Sequence, residues 1–146
     1  MNIKSYLLDD FERCISLFIE VFNSEPWNDK WSREKAERYL NDYIHAPGFK
    51  GIVAEEEGTI NGFIFGISKR WWSADEFFIH EMCVRSATQR TGIGTRMFNY
   101  LDQMLKEEAI ENITLLTDRG VPAEAFYIKN GFKEIKRIVF LSKSIK

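Results

Sequence analysis

Three features of the chain predict an α/β (α+β) fold with a mixed, largely antiparallel central sheet flanked by about four helices. Segments with apolar residues three and four apart alternate with short runs rich in β-branched and aromatic residues. Glu57-Gly58-Thr59 joins two of those runs as a hairpin. A run apolar on both faces, Phe77 to Val84, passes through a glycine loop into an amphipathic helix, as a central strand does. At 146 residues the chain is expected to be one domain, residues 1–146, long enough to bury one core.

The elements follow in order. Ile3 to Leu7 is the first strand, and Asp9 opens the first helix with Glu12 in the capping-box position. Phe11, Ile15, Phe18, Ile19 and Phe22 recur at helical spacing and mark its apolar stripe. Asn23 to Trp31, with Pro26 at its centre, is a loop. Ser32 caps a second helix in which Ala36, Tyr39, Leu40 and Tyr43 share one side, and Pro47-Gly48 ends it. Gly51 to Glu56 and Ile60 to Ser68 are the hairpin strands. After the glycine loop, Met97, Phe98, Leu101, Met104 and Leu105 form the buried stripe of a third helix. Ile113 to Leu116 is a strand, Pro122 to Asn130 a short helix, and Gly131 its left-handed stop. A final hairpin, Phe132 to Leu141, completes the sheet.

Composition narrows the function. Hydrophobic residues make up 45% and charged residues 29%, which suits a folded soluble chain and argues against disorder. A net charge of −2 gives no electrostatic case for nucleic acid. No apolar run approaches a bilayer span, and Met1 to Asp10 lacks the pattern of a signal peptide, so a cytoplasmic location and no membrane partner are expected. Cys14 and Cys83 sit inside apolar patterns and read as buried free thiols. His45 and His80 have no Cys or His at ligand spacing, so no metal site is expected.

The most informative segment is Val84-Arg85-Ser86-Ala87-Thr88-Gln89-Arg90-Thr91-Gly92-Ile93-Gly94-Thr95, a loop with two glycines and no acid between a strand and a helix. Small residues allow close backbone approach, and the unpaired N–H groups opening the helix attract an anion, so phosphate or pyrophosphate is the natural guest. A P-loop needs Gly-Lys-Ser/Thr, whereas Thr95 and Arg96 follow Gly94. A dinucleotide fingerprint needs a third small residue where Met97 stands. What remains is Gln89-x-x-Gly92-x-Gly94. That pattern resembles the pyrophosphate loop of the GNAT superfamily of N-acetyltransferases, and Pro122 to Phe132, with its Phe126-Tyr127-x-Lys129-x-Gly131-Phe132 ending, is similar to the family's late helix and turn.

The resemblance covers nearly the whole chain and implies acetyl-coenzyme A as co-substrate. It implies that the loop Gln89, Arg90, Thr91, Gly92, Ile93, Gly94 and Thr95 holds the pyrophosphate, and that main-chain groups of Met82, Cys83 and Val84 hold the pantetheine arm and acetyl carbonyl. Arg85, Arg90 and Arg96 either add attraction for phosphate or are solvated surface residues. Where many relatives carry a coenzyme-contacting Asn, this chain has Gly120, so that contact is lost or supplied differently.

Acetyl transfer to an amine needs a deprotonated nitrogen, oxyanion stabilisation and a proton for the departing thiolate. For the last, Tyr127 is the candidate, because a phenol near 10 is closer to a thiol than any carboxylic acid, and the family often has a tyrosine there. Its alternative is an aromatic packed on the sheet. Glu81 lies mid-strand among apolar residues, where an unpaired carboxylate is costly. It should face a cavity, pair with a cation or be partly protonated, and it is the candidate base. A structural ion pair is the bland reading. On a regular strand His80 points to the opposite face.

Trp27 and Trp31, with Asp29, crowd the first helix–helix loop, while Trp71 and Trp72, with Asp75 and Glu76, crowd the approach to the central strand. Aromatic faces and carboxylates attract ammonium, so the expected acceptor is a small polyamine, amino sugar or exposed lysine. The alternative is that the tryptophans plug the core edge and the acids are solvated. Glu25-Pro26-Trp27-Asn28-Asp29-Lys30-Trp31 also resembles GNAT members grouped with aminoglycoside acetyltransferases. A rival to the enzyme is a silent acyl-coenzyme A binding module, and the sequence leaves room for a homodimer.

Overall fold

A computed structural model describes residues 1–89 and 91–146, apart from the side chain of Ala87. Two compact units divide the chain, Met1–Leu116 and Thr117–Lys146. The first holds a five-stranded sheet in the order β1 (Asn2–Ser5), β2 (Phe49–Glu56), β3 (Thr59–Lys69), β4 (Asp75–Val84), β5 (Ile110–Leu115). All neighbours are antiparallel except β4 and β5, which run parallel. The predicted mixed, largely antiparallel sheet is therefore present.

Helices α1 (Phe11–Phe22) and α2 (Arg33–Ile44) pack on one face of that sheet. Cys14, Ile15, Leu17, Phe18 and Val21 from α1, Ala36 and Leu40 from α2, and Phe63, Phe65 and Cys83 from the strands form one buried cluster. Helix α3 (Ile93–Glu107) covers the other face: a side chain added at Gly62 of β3 would meet Met97 of α3. Met97, Phe98, Leu101 and Leu105 are buried as expected, while Met104 is half-buried. No helix among the described residues is long and apolar enough to cross a membrane.

Several boundaries move for identifiable reasons. β1 stops at Ser5 because Asp10, rather than Asp9, organises the entry to α1 through a short 3₁₀ turn. Its carboxylate accepts the Leu7 N–H at 2.8 Å and is itself buried between Lys4 and Arg13. Glu12, cast as the capping partner of Asp9, instead pairs with Arg33. Ser32 does cap α2, accepting from Lys35 N at 3.1 Å.

The second unit contains α4 (Pro122–Lys129), closed by Gly131 at φ +97° as expected. The predicted hairpin from Phe132 to Leu141 is absent: these residues form no strand. A turn does close over Ile135 to Ile138, with Ile138 N donating to Ile135 O at 3.1 Å. Its central Lys136-Arg137 lacks the glycine or asparagine that a tight hairpin turn requires, and arms of about four residues make too short a ladder to persist alone. Phe140 and Leu141 are 77% and 83% exposed.

Candidate active site

β4 carries the site, and a bulge in it sets the geometry. Phe65 of β3 pairs with Glu81, but the next residue, Gly66, pairs with Ile79, so His80 is an extra residue on β4. Gly66 is required beside it, since a Cβ there would lie 2.4 Å from the Phe77 ring. A bulge breaks the strict alternation of side chains. His80 consequently does not point away from Glu81 as expected of a regular strand. Both face α2: the Tyr39 hydroxyl donates to Glu81 Oε1 at 2.9 Å, and the Tyr43 ring stacks on His80 with centroids 4.6 Å apart.

Glu81 is largely enclosed, and burial pushes its carboxyl up to about 7, the Tyr39 hydrogen bond opposing that rise and the Asp29 charge adding to it. Burial chiefly, with a repulsive Lys69, lowers His80. Cys83, two residues on, is buried with its thiol 3.9 Å from the Leu17 carbonyl, and burial raises it well above the usual thiol range. A thiol held neutral and dry is no nucleophile.

The two aromatic groups expected near the acceptor separate. Trp31 joins Glu81's surroundings: its ring lies 5.1 Å from Tyr39 and 5.0 Å from Phe18, and its indole N–H donates to Asp29 at 3.1 Å. Asn23 clamps the Trp31 backbone through two 2.9 Å hydrogen bonds. Trp27 stands at the rim against Phe22, with centroids 5.0 Å apart. Trp72, 88% exposed, sits in the β3–β4 turn, and Asp75 and Glu76 begin β4. At about 3.3 Å per residue, Glu76 lies roughly 15 Å along the strand from Glu81.

Beyond Ile79, β4 has no β5 partner, because the parallel ladder ends at the Ile79–Leu115 pair. Among the described residues, the β5-facing edge of Met82, Cys83 and Val84 is therefore not paired to a strand, while their other edge is bonded to β3 at Ile64, Phe63 and Gly62. A strand edge of this kind can bond an extended ligand through main-chain groups.

The loop after β4 is tied down by its own polar residues. Gln89 Nε2 donates to the Val84 carbonyl at 3.2 Å, and Thr88 and Thr91 hydroxyls donate to the carbonyls of Arg85 and Thr88. Gln89 thus braces the loop. Arg85 is committed elsewhere, to Asn61, Glu20 and the Ile60 carbonyl. Arg96 donates to the Met1 carbonyl at 3.1 Å, and Arg90 lies outside the described residues. Gly92 opens α3 at φ +86° with nothing near a would-be Cβ, and Ile93, Gly94 and Thr95 form the first turn, whose N–H groups have no partner within the helix. An exposed left-handed glycine, amides without partners in the helix and no acid fit a diphosphate.

In the second unit, Tyr127 lies on α4 with its ring 5.8 Å from Phe126 and 5.7 Å from Phe132. Gly120, at φ +82°, donates its N–H to Glu124 Oε1 at 2.7 Å, so the residue at the family's Asn position serves the start of α4. Tyr39 and Tyr43 are the residues sequence reading missed: their place in an apolar helical stripe marked them as core, whereas Glu81, opposite Phe65, meets Tyr39 and the bulge brings His80 to Tyr43.

Comparison with known proteins places these features in a class. The acetyltransferase (GNAT) family model matches residues 8–132. The chain belongs to the acetyltransferase (GNAT) family and is an N-acetyltransferase of that type, a family that uses acetyl-coenzyme A. No curated protein sequence matches it significantly. Its fold is shared with a possible acetyltransferase from Clostridium difficile 630, at 16% identity and TM-score 0.82, covering 99% of this chain and 98% of that one. It is also shared with an aminoglycoside acetyltransferase from an uncultured soil metagenomic sample, solved with sisomicin, at 20% identity and TM-score 0.77, covering 99% and 96%. AAC(6')-Iy in complex with the bisubstrate analog CoA-S-monomethyl-acetylneamine is similar at 13% identity and TM-score 0.77, covering 98% and 97%.

Proposed function

We propose that this N-acetyltransferase moves an acetyl group from acetyl-coenzyme A to a primary amine of a small cationic acceptor, by direct attack in a ternary complex. The observation that carries this reading is Glu81: a mostly enclosed carboxyl near pH 7, on the strand that leads into the glycine loop, beside the Trp31–Tyr39 aromatic wall and Asp29. A base poised near neutrality can accept the proton of an ammonium, directly or through one water, as the nitrogen attacks. Gln89 to Thr95 hold the diphosphate with main-chain amides, and Met82 to Val84 hold the pantetheine arm along the unpaired edge. Tyr127 returns a proton to the thiolate. Aromatic faces and two acids on one side of the sheet favour a cation, in keeping with the sisomicin bound by the soil enzyme.

Thiol release with a panel of polyamines, amino sugars and lysine peptides tests this reading. Turnover with at least one cationic amine, with intersecting initial-rate patterns, is the expected result. Parallel patterns would replace direct attack by an acyl-enzyme, and turnover confined to neutral amines would remove the cationic acceptor. A crystal grown with acetyl-coenzyme A then identifies the groups around the thioester.

A further inference from the structure

Glu81's partner on α2 is unexplained by packing alone. Tyr39 and Tyr43 lie one helical turn apart, so both hydroxyls project from the same face of α2 toward β4. The Tyr39 hydroxyl reaches Glu81 Oε1 at 2.9 Å, and the Tyr43 hydroxyl reaches that of Tyr39 at 3.4 Å. Each ring is held in turn. Tyr39 sits between Trp31, at 5.1 Å, and Phe18, at 5.8 Å, and makes an edge contact with Tyr43. Tyr43 lies against the His80 imidazole at an interplanar angle of 23°, and His80 packs on Phe78. The residue that forms the bulge therefore also fixes the second tyrosine of the chain.

We infer that Tyr39, braced by Tyr43 and His80, is a positioning residue that holds the Glu81 carboxylate in place to receive the acceptor's proton. The inference rests on the assignment of Glu81 as base. A phenol donating to a carboxylate stabilises its charged form, so Tyr39 works against the burial that would otherwise keep Glu81 protonated. Asp29 in the loop before α2 disfavours the charge; Cys83 on β4 feels Glu81 and, in turn, Cys14 and Glu20 of α1 and Arg85, which is ion-paired to Glu20. Burial disfavours the charged form of His80, and its ring presents a flat surface to Tyr43. When Glu81 takes a proton, the Tyr39 hydroxyl can turn from donor to acceptor without moving its ring, because a hydroxyl serves either role.

The test uses the full chain and the best amine of the panel, and compares wild type with Tyr39→Phe, Tyr43→Phe and Glu81→Gln. In Tyr39→Phe the acidic limb of kcat/KM is expected to move up by roughly one pH unit, lowering the rate about tenfold on that limb, while the KM for acetyl-coenzyme A stays near wild type. Tyr43→Phe should shift the limb the same way by less. Infrared titration of the protonated carboxyl band, assigned by its loss in Glu81→Gln, should move with the limb in both variants. A limb and a carboxyl titration unchanged in both phenylalanine variants would reduce the pair to packing and overturn the inference. Tyr43→Phe decides the matter alone if Tyr39→Phe does not fold. Unchanged turnover in Glu81→Gln would instead sink the base itself, an outcome distinct from an unmoved infrared titration.

Discussion

At Glu81, burial raises the carboxyl and thereby ties the stability of the fold to pH. The folded chain holds a proton on Glu81 between its ordinary 4.5 and about 7, a proton the unfolded chain has released. Stability contributed here is present below the lower value and is lost as pH rises through the upper one, by on the order of 3 kcal/mol. Glu81→Gln should flatten that slope, read as urea midpoints at about pH 5 and about pH 8. The same substitution should lower kcat by about 10² to 10³ with donor affinity intact, measured by steady-state rates and calorimetry. For wild type, kcat/KM should climb with pH toward a plateau above about 7, since the unprotonated carboxylate is the working form. Tyr127→Phe should reduce turnover more than donor affinity; equal rates in the two proteins would assign that ring to packing.

At the scale of elements, the glycine loop and the α2 cap give separable tests. Gly94 is buried within α3, so a bulky side chain there would disturb the core as well as the ligand. Gly92 is the cleaner probe, being exposed, left-handed and clear of neighbours. Gly92→Ala should cost roughly 1–2 kcal/mol of stability and weaken acetyl-coenzyme A binding by about tenfold as the first turn of α3 relaxes. Ser32→Ala removes the hydroxyl that accepts from Lys35 N and should cost about 1 kcal/mol in urea unfolding, with acetyl-coenzyme A affinity unchanged. The β4 bulge belongs to this scale too. Nothing in the run Phe77 to Val84 signals an extra residue, yet Gly66 opposite it is a trace: a small residue in an apolar strand marks close approach of another group.

Across the molecule, the central cluster joins α1, α2 and three strands, so damage anywhere in it should be felt throughout. Phe63 is fully buried there, and Phe63→Ala should lower stability by about 3–5 kcal/mol, visible as a shift of the urea midpoint. The same cluster explains which expectations survived. Helical stripes such as Ile15, Phe18 and Leu40 were legible because one face of each helix must be apolar to meet the sheet. The β2–β3 hairpin was legible because Gly58, at φ +80°, makes the turn between the two strands. The Phe132 to Leu141 hairpin was not: alternation of charged and apolar residues suggests strands, but pairing depends on a turn and a ladder that this segment lacks.

The order of helices and strands as far as α4, the glycine loop, the caps at Ser32 and Gly131 and the family all follow from local pattern, because periodicity, backbone freedom and capping act within a few residues of each other. Tertiary structure alone decided that His80 and Glu81 share a face, that Tyr39 meets Glu81, and that Arg85 is spent on Asn61 and Glu20. Those outcomes depend on strand register and on which helix packs over which strand, contacts between residues 24 to 65 positions apart that no local pattern records.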